Sequence, residues 1–380
     1  MSEELILTNA RIVTADAVIE GSVVVRDGLI VELTPGPLRA AGAVDCAGDY
    51  LLPGLVELHT DNLEKHVGPR PGVRWPMQAA VLAHDAQVAA AGITTVYDAL
   101  TVGEMREDRV RAEMLGDAVT AIGEAQRARV FRAEHFLHMR CEVGHEHIVD
   151  LVRPLLDNPM VGLVSLMDHS PGQRQFATVE KYNEYYQGKF GYTEEEMRAL
   201  ASQRIENTER FAGKNRAEIA SLCAAHDLRR ASHDDAKLEH VEEAAGFGVT
   251  IAEFPTTRVA AEAAHRIGMA VVMGAPNLVR GGSHSGNISA AALAQYGVLD
   301  ILSSDYVPCS LLHSAFLLHV QLGLPLPEAV AKVSLNPARA LGLGDRGEIA
   351  AGKRGDLARV SLVGDMPVAR QAWRLGERIV

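Results

Sequence analysis

The sequence predicts an α/β fold, a (β/α)8 barrel of the TIM type with a small β-sandwich domain formed by both termini. Three observations carry this expectation. Eight short apolar stretches alternate with Ala-rich helical patterns through the middle of the chain. Short turn-bounded strands occupy both ends. No Gly-x-Gly-x-x-Gly follows the first central strand, which disfavours an open doubly wound sheet.

In chain order, Leu5–Leu7, Arg11–Val13 and Ser22–Val25 read as strands, and Asp27-Gly28 before Leu29–Val31 marks a hairpin. The central strand candidates are Gly54–Leu58, Thr94–Ala99, Val130–Met139, Val161–Met167, Arg229–Ser232, Val249–Glu253, Ala270–Met273 and Asp300–Ser303. Helical patterns such as Gln78–Ala91 and Val110–Gln126 fall between them. Gly347–Ile349, Asp356–Val360 and Trp373–Leu375 look like strands returning to join the first set. The expected division is therefore 1–50 and 343–380 for the small domain and 51–342 for the barrel. Residues 170–228 are too long for a loop plus helix and read as a lid over the barrel mouth, with a charged helix from about Thr193.

At 380 residues and 47% hydrophobic content, the chain can bury a large core. A net charge of −12 argues against broad nucleic-acid binding but leaves room for a phosphorylated small molecule held by local Arg and Lys. Cys46, Cys141, Cys223 and Cys309 are scattered, forming neither a disulfide framework nor a thiolate metal site. The acidic start, Met1-Ser2-Glu3-Glu4, and the lack of a long apolar run predict a cytoplasmic protein with no membrane partner.

The chemistry concentrates at the predicted strand ends. After Pro53-Gly54 the chain alternates, so Leu55, Glu57, His59 and Asp61 share one strand face. An imidazole and a carboxylate two apart at a strand's C-terminal end can reach one cation, although the spacing equally fits a strand ending in polar loop residues. The third strand carries His135, His138, Arg140 and Glu142; later strands end in Asp168-His169, His233-Asp234-Asp235, Glu253 and Asp305. For His135, which alternates with Leu137 and Met139, a hydrogen-bonded structural role is favoured. Taken together, so many buried imidazoles and carboxylates cost heavily unless paired or metal-bound. Such ligands, without thiolate, suit a divalent metal: zinc first, with manganese or iron as alternatives. Arg280-Gly281-Gly282-Ser283-His284 follows the seventh strand, where barrel loops often bind phosphate.

Glu57-Leu58-His59-Thr60-Asp61-Asn62, Ser165–Phe176, Ser232–Asp235, Ala252–Thr257, Gly281–Asn287 and the Asn336-Pro337-Ala338 ending resemble the amidohydrolase superfamily. Within it they are most similar to the diphosphatase branch of the carbon–phosphorus lyase pathway, and the likeness runs from about Leu51 to Ala358. One departure from the wider superfamily is Asp61, where a second His usually stands. The resemblance implies hydrolysis of a ribose 1-methylphosphonate triphosphate to a monophosphate and diphosphate, on one or two metal ions. It implies His59, Asp61, Glu142, His233 and Asp305 as ligands, with His169 as a further candidate. Asp305 would also be the acid–base group. Arg140, Arg174, Lys181, Lys189, Glu253, Arg280, Gly282, Ser283 and His284 are the substrate-binding candidates. A homodimer is the expected assembly. The rivals are a cyclic-amide hydrolase or deaminase on the same scaffold, and a non-catalytic binding protein with a decayed barrel.

Overall fold

The computed structural model describes residues 4–103, 110–172, 174, 193–283 and 286–380. Eight strands form one parallel sheet in sequence order: β6 (Leu55–Thr60), β7 (Ile93–Val102), β8 (Glu134–Glu142), β9 (Val161–Met167), β10 (Arg229–His233), β11 (Ile251–Glu253), β12 (Ala270–Gly274) and β13 (Ile301–Ser303). Every residue of β6 and β7 is buried, as parallel strands covered on both faces require. The first and last strands meet at a parallel bridge between Thr60 and Asp305, which brings the sheet close to a closed barrel.

The predicted β structure from both termini is realised as a second eight-stranded sheet. It comprises β1 (Glu4–Val13), β2 (Val18–Arg26), β3 (Leu29–Pro35), β4 (Val44–Asp45), β5 (Tyr50–Pro53), β14 (Leu357–Val363), β15 (Met366–Arg374) and β16 (Glu377–Arg378). The N- and C-terminal parts join where β5 pairs antiparallel with β14. Leu7, Ile12, Val23, Val25, Leu51, Leu357 and Trp373 form its core. Asp27 and Gly28 both take positive φ, 51° and 83°, so the hairpin turn is the tight two-residue form that suits strand twist.

Three departures from the expected elements have a local reason. Leu5–Leu7 and Arg11–Val13 belong to one long strand, interrupted between Leu7 and Ala10, where Asn9 takes φ 55°. β8 starts at Glu134 rather than Val130, because the Arg132 and Ala133 N–H groups donate to the Asp85 carboxylate at 3.0 Å and are lost to any ladder. Gly347–Ile349 is not a strand: Gly347, at φ 90°, turns so tightly that a Cβ would lie 2.8 Å from the Ser334 carbonyl.

Of the predicted lid, 173 and 175–192 lie outside the described residues. The charged helix is present as Glu194–Asn207, opened by a capping box in which Thr193 and Glu196 bond reciprocally. A π turn, Thr208–Ala212, joins it to helix Gly213–Ala225. The chain divides into two compact units, 1–98 with 118–136 and 273–380, and 99–117 with 137–272. Among the described residues no helix is long and apolar enough to cross a membrane.

Candidate metal centre

In the first unit the end of β6 is fixed mostly by backbone bonds. Glu57 is buried and accepts the His59 N–H at 2.7 Å and the Ser304 N–H at 2.5 Å; burial lifts its pKa to about 7. The His59 carbonyl accepts the Ser303 hydroxyl at 3.0 Å and the Asp305 N–H at 3.2 Å. In return the Asp305 carbonyl accepts the Asp61 N–H at 3.0 Å and the Thr60 hydroxyl at 2.7 Å. His59, Asp61 and Asp305, three expected ligands, are thus held on one interlocked pair of strand ends.

In the second unit the expected residues touch through their side chains. Glu142, the last residue of β8, bonds His169 Nδ1, and His169 Nε2 lies 3.7 Å from Asp234. Asp234 is also 3.5 Å from His233 Nε2, while His233 Nδ1 meets Glu253 at 3.2 Å. Glu253 accepts the Ser165 hydroxyl at 2.6 Å, and Ser165 meets His138 at 2.5 Å. Burial alone would raise the Glu142 pKa, but His169, with Arg204 and Arg140, holds it down at about 2. His169 is raised, its burial outweighed by Glu142 and Asp234. His233 is lowered, chiefly by burial.

Neighbouring elements brace this cluster. Asp168, just before His169, accepts the Ser170 hydroxyl at 2.6 Å and the Thr208 hydroxyl at 3.3 Å, and Arg216 stands 3.5 Å away. Thr208 is the first residue of the π turn. Asp234, Phe254 and Asp305 each follow a strand and adopt φ 53–56°. Each donates its N–H to the last turn of ladder on the next strand, to Glu253, Val272 and His59 respectively, at 2.9–3.2 Å. A left-handed residue here ends the strand while keeping its donor satisfied.

His169, His233 and Asp234 each offer a ligand atom within 4.8 Å of the others. Their donors, imidazole nitrogens and carboxylate oxygens, fit a divalent cation.

The substrate candidates fare unevenly. Arg140 is buried beside Glu142 and lowers that carboxyl's pKa, while Glu253 is engaged by His233 and Ser165. Arg174 is instead buried in an ion cluster: its guanidinium bonds Asp235 and reaches Glu243 at 3.2 Å, so the charge meant for a phosphate is already met. Arg280 is exposed at the end of a short helix, followed by Gly282 and Ser283, which are partly buried. Lys181, Lys189 and His284 lie outside the described residues. Asp234, Ser165 and His138 are participants that the candidate set omitted. The Ser232-His233-Asp234-Asp235 run hinted at the first, but no spacing rule singles out a Ser on a neighbouring strand.

The alpha-D-ribose 1-methylphosphonate 5-triphosphate diphosphatase of Escherichia coli (strain K12) is 48% identical over 377 residues, covering 99% of this chain and 100% of that relative. The chain belongs to this diphosphatase family of amidohydrolases. Residues 199–375 match the amidohydrolase family model. A dihydroorotase of Methanopyrus kandleri is 35% identical over 98 residues, 21% of this chain and 22% of the relative. Among solved structures, 5-methylcytosine deaminase from Klebsiella pneumoniae aligns with TM-score 0.66 at 15% identity, covering 99% of this amidohydrolase and 97% of the deaminase. N-acetylglucosamine-6-phosphate deacetylase from Pasteurella multocida gives TM-score 0.63 at 14% identity, with 99% of each chain covered. At that identity these two share the fold.

This amidohydrolase also holds a second buried cluster, within the first unit. Asp98 on β7 bonds His84 Nε2 at 2.8 Å and His135 Nδ1 at 2.7 Å, and His135 Nε2 lies 3.3 Å from Asp85. Against its burial, Asp98 and Asp85 raise the His135 pKa to about 9, and Asp98 is held well below the usual carboxylate range. Phe131 stacks on the His135 ring, centroids 4.0 Å apart. His135 thus sits in a hydrogen-bonded structural role, between Asp98 and Asp85.

Proposed function

We infer that this chain hydrolyses alpha-D-ribose 1-methylphosphonate 5-triphosphate to the 5-phosphate and diphosphate in phosphonate catabolism. The observation that carries this is the 48% identity over 99% of the chain to the diphosphatase of that name. The polar strand ends agree with it, since a hydrolytic metal centre needs that donor set at that end of a barrel.

In this reading His59, Asp61, Glu142, His169, His233 and Asp305 hold the metal, with zinc as the first candidate. A bound divalent ion would supply an acidified water and neutralise phosphoryl charge. Asp305 takes the proton of the attacking water and returns one to the leaving diphosphate. Its left-handed backbone, tied to His59 at 3.2 Å, keeps that carboxylate at the strand end. Arg140, Arg280 and the 282–283 turn draw in the triphosphate, while Arg174 braces the turn around Asp235. Buried Cys46, Cys141 and Cys223, none in a disulfide, support a cytoplasmic setting. Homodimerisation belongs to the same proposal.

The test is a ³¹P NMR time course with the zinc-loaded protein and the ribose triphosphate, with ATP in parallel. Diphosphate should appear from the ribose substrate and fall about 10²–10⁴-fold in Asp305→Asn. An unchanged triphosphate spectrum with zinc bound would overturn the reading and bring the cyclic-amide hydrolase forward.

A further inference from the structure

We propose that the buried His135–Asp98–His84 chain is a positioning device for the metal site. It fixes the Asn62 amide, and with it the Thr60–Asn62 turn that presents Asp61. The inference rests on Asp61 being a ligand.

The hydrogen-bond polarity can be followed from one end. Both His135 nitrogens face carboxylates, Asp98 at 2.7 Å and Asp85 at 3.3 Å, so both carry protons. Asp85 is anchored in turn by the Arg132 and Ala133 N–H groups and by the Arg132 guanidinium at 3.2 Å. The second oxygen of Asp98 faces His84 Nε2 at 2.8 Å, so that nitrogen is the protonated one. His84 Nδ1 lies 3.1 Å from Asn62 Nδ2, an amide nitrogen that can only donate, so Nδ1 is the acceptor. The other amide hydrogen of Asn62 goes to Gln87 Oε1 at 2.9 Å. Half-buried His66 lies 2.8 Å from the same Gln87 oxygen, and so donates to it.

The orientation of Asn62 is therefore not free. Its amide is set by a polarity that originates at the charged end of the chain, among groups that are all at most 2% exposed (Asn62, His84, Asp85, Asp98 and His135). The Asn62 N–H meets the Thr60 hydroxyl at 3.3 Å, which itself donates to the Asp305 carbonyl at 2.7 Å. Asp61 sits between two residues pinned in this way, and its own N–H is bound to Asp305 at 3.0 Å. Partners standing behind ligands orient them, and their loss commonly costs about 10–100-fold in metal affinity.

The readout is zinc affinity of the folded full-length chain, measured by competition with a chromophoric chelator while circular dichroism confirms folding. His84→Leu should weaken zinc binding about 10–100-fold. His84→Gln, which keeps one acceptor and one donor, should recover affinity to within about threefold of wild type. Asn62→Ala should weaken binding as much as His84→Leu, and the double variant should be no weaker than either, because both act through one contact. Folded His84→Leu with wild-type affinity, or single effects that add fully, would overturn the proposal. If His84→Leu does not fold, Asn62→Ala decides alone, and wild-type affinity in it is the overturning result. A wild-type protein that binds no zinc would instead defeat the assignment of the site itself.

Discussion

Two clusters in this protein use the same side-chain types and do opposite things with them. His84, His135, Asp85 and Asp98 are at most 1% exposed, and they are closed on one another, on backbone N–H groups and on the Asn62 and Arg132 side chains. His169, His233, Glu142 and Asp234 also pair, but Glu142 and His169 keep 15% of their side chains exposed. The titration differs accordingly: His135 is pushed up to about 9, whereas His233 is pushed down. β8 shows the cause within one strand, since His135 is near its start and Glu142 is its last residue. On β8, position along the strand separates the sealed His135 from the partly exposed Glu142.

The contrast can be broken most forcefully at the sealed cluster. Asp98→Asn leaves a charged, buried His135 with one carboxylate fewer, and should cost about 3–5 kcal/mol in urea unfolding. His233→Ala should do the reverse: about 100-fold less diphosphate released, with the metal-free protein no less stable than wild type, because the ligand role proposed for His233 adds little to folding. An equal stability loss in both variants would erase the distinction.

The pH dependence sharpens it. A histidine whose pKa rises from 6.5 to about 9 on folding contributes fully below about pH 6.5, and that contribution fades as pH climbs through 9. Asp98 is depressed, so its share is present above about pH 3.8 and is lost as pH falls through its lower folded value. Wild-type stability should therefore fall by about 2 kcal/mol between pH 6.5 and 9. His135→Asn should lack that alkaline decline when its urea midpoint is followed across the same range. The smallest effect is expected at half-buried His66, where alanine should change stability by no more than about 0.5 kcal/mol.

The sequence made the barrel legible because its strands are short apolar runs ending in polar residues, and periodicity reports both features. It also marked His59, Glu142, His169, His233 and Asp305 by their place at those ends. The partner of Arg174 was not legible, because a guanidinium reads identically whether it meets a phosphate or a buried Asp235 that lies 61 residues away. The start of β8 was hidden for a related reason: the group that competes for its donors, Asp85, lies 47 residues earlier. Backbone states such as φ 56° at Asp234 and φ 53° at Phe254 leave no compositional mark, the more so for an aromatic residue that ordinarily avoids that region.

The π turn at Thr208–Ala212 gives the chain one place where its length can change cheaply. A π turn holds one residue more than the surrounding helix winds into its regular repeat. Removing one residue there would let the helix run uninterrupted and leave the turns on either side nearly in phase. The same deletion in the regular turn that follows, at Gly213 or Lys214, would rotate everything beyond by about 100° relative to the turns before it. Arg216 would swing off Asp168 and Glu243, and Asn215 would leave the carbonyls of Val143 and His145 that it now joins at 2.8 and 3.0 Å.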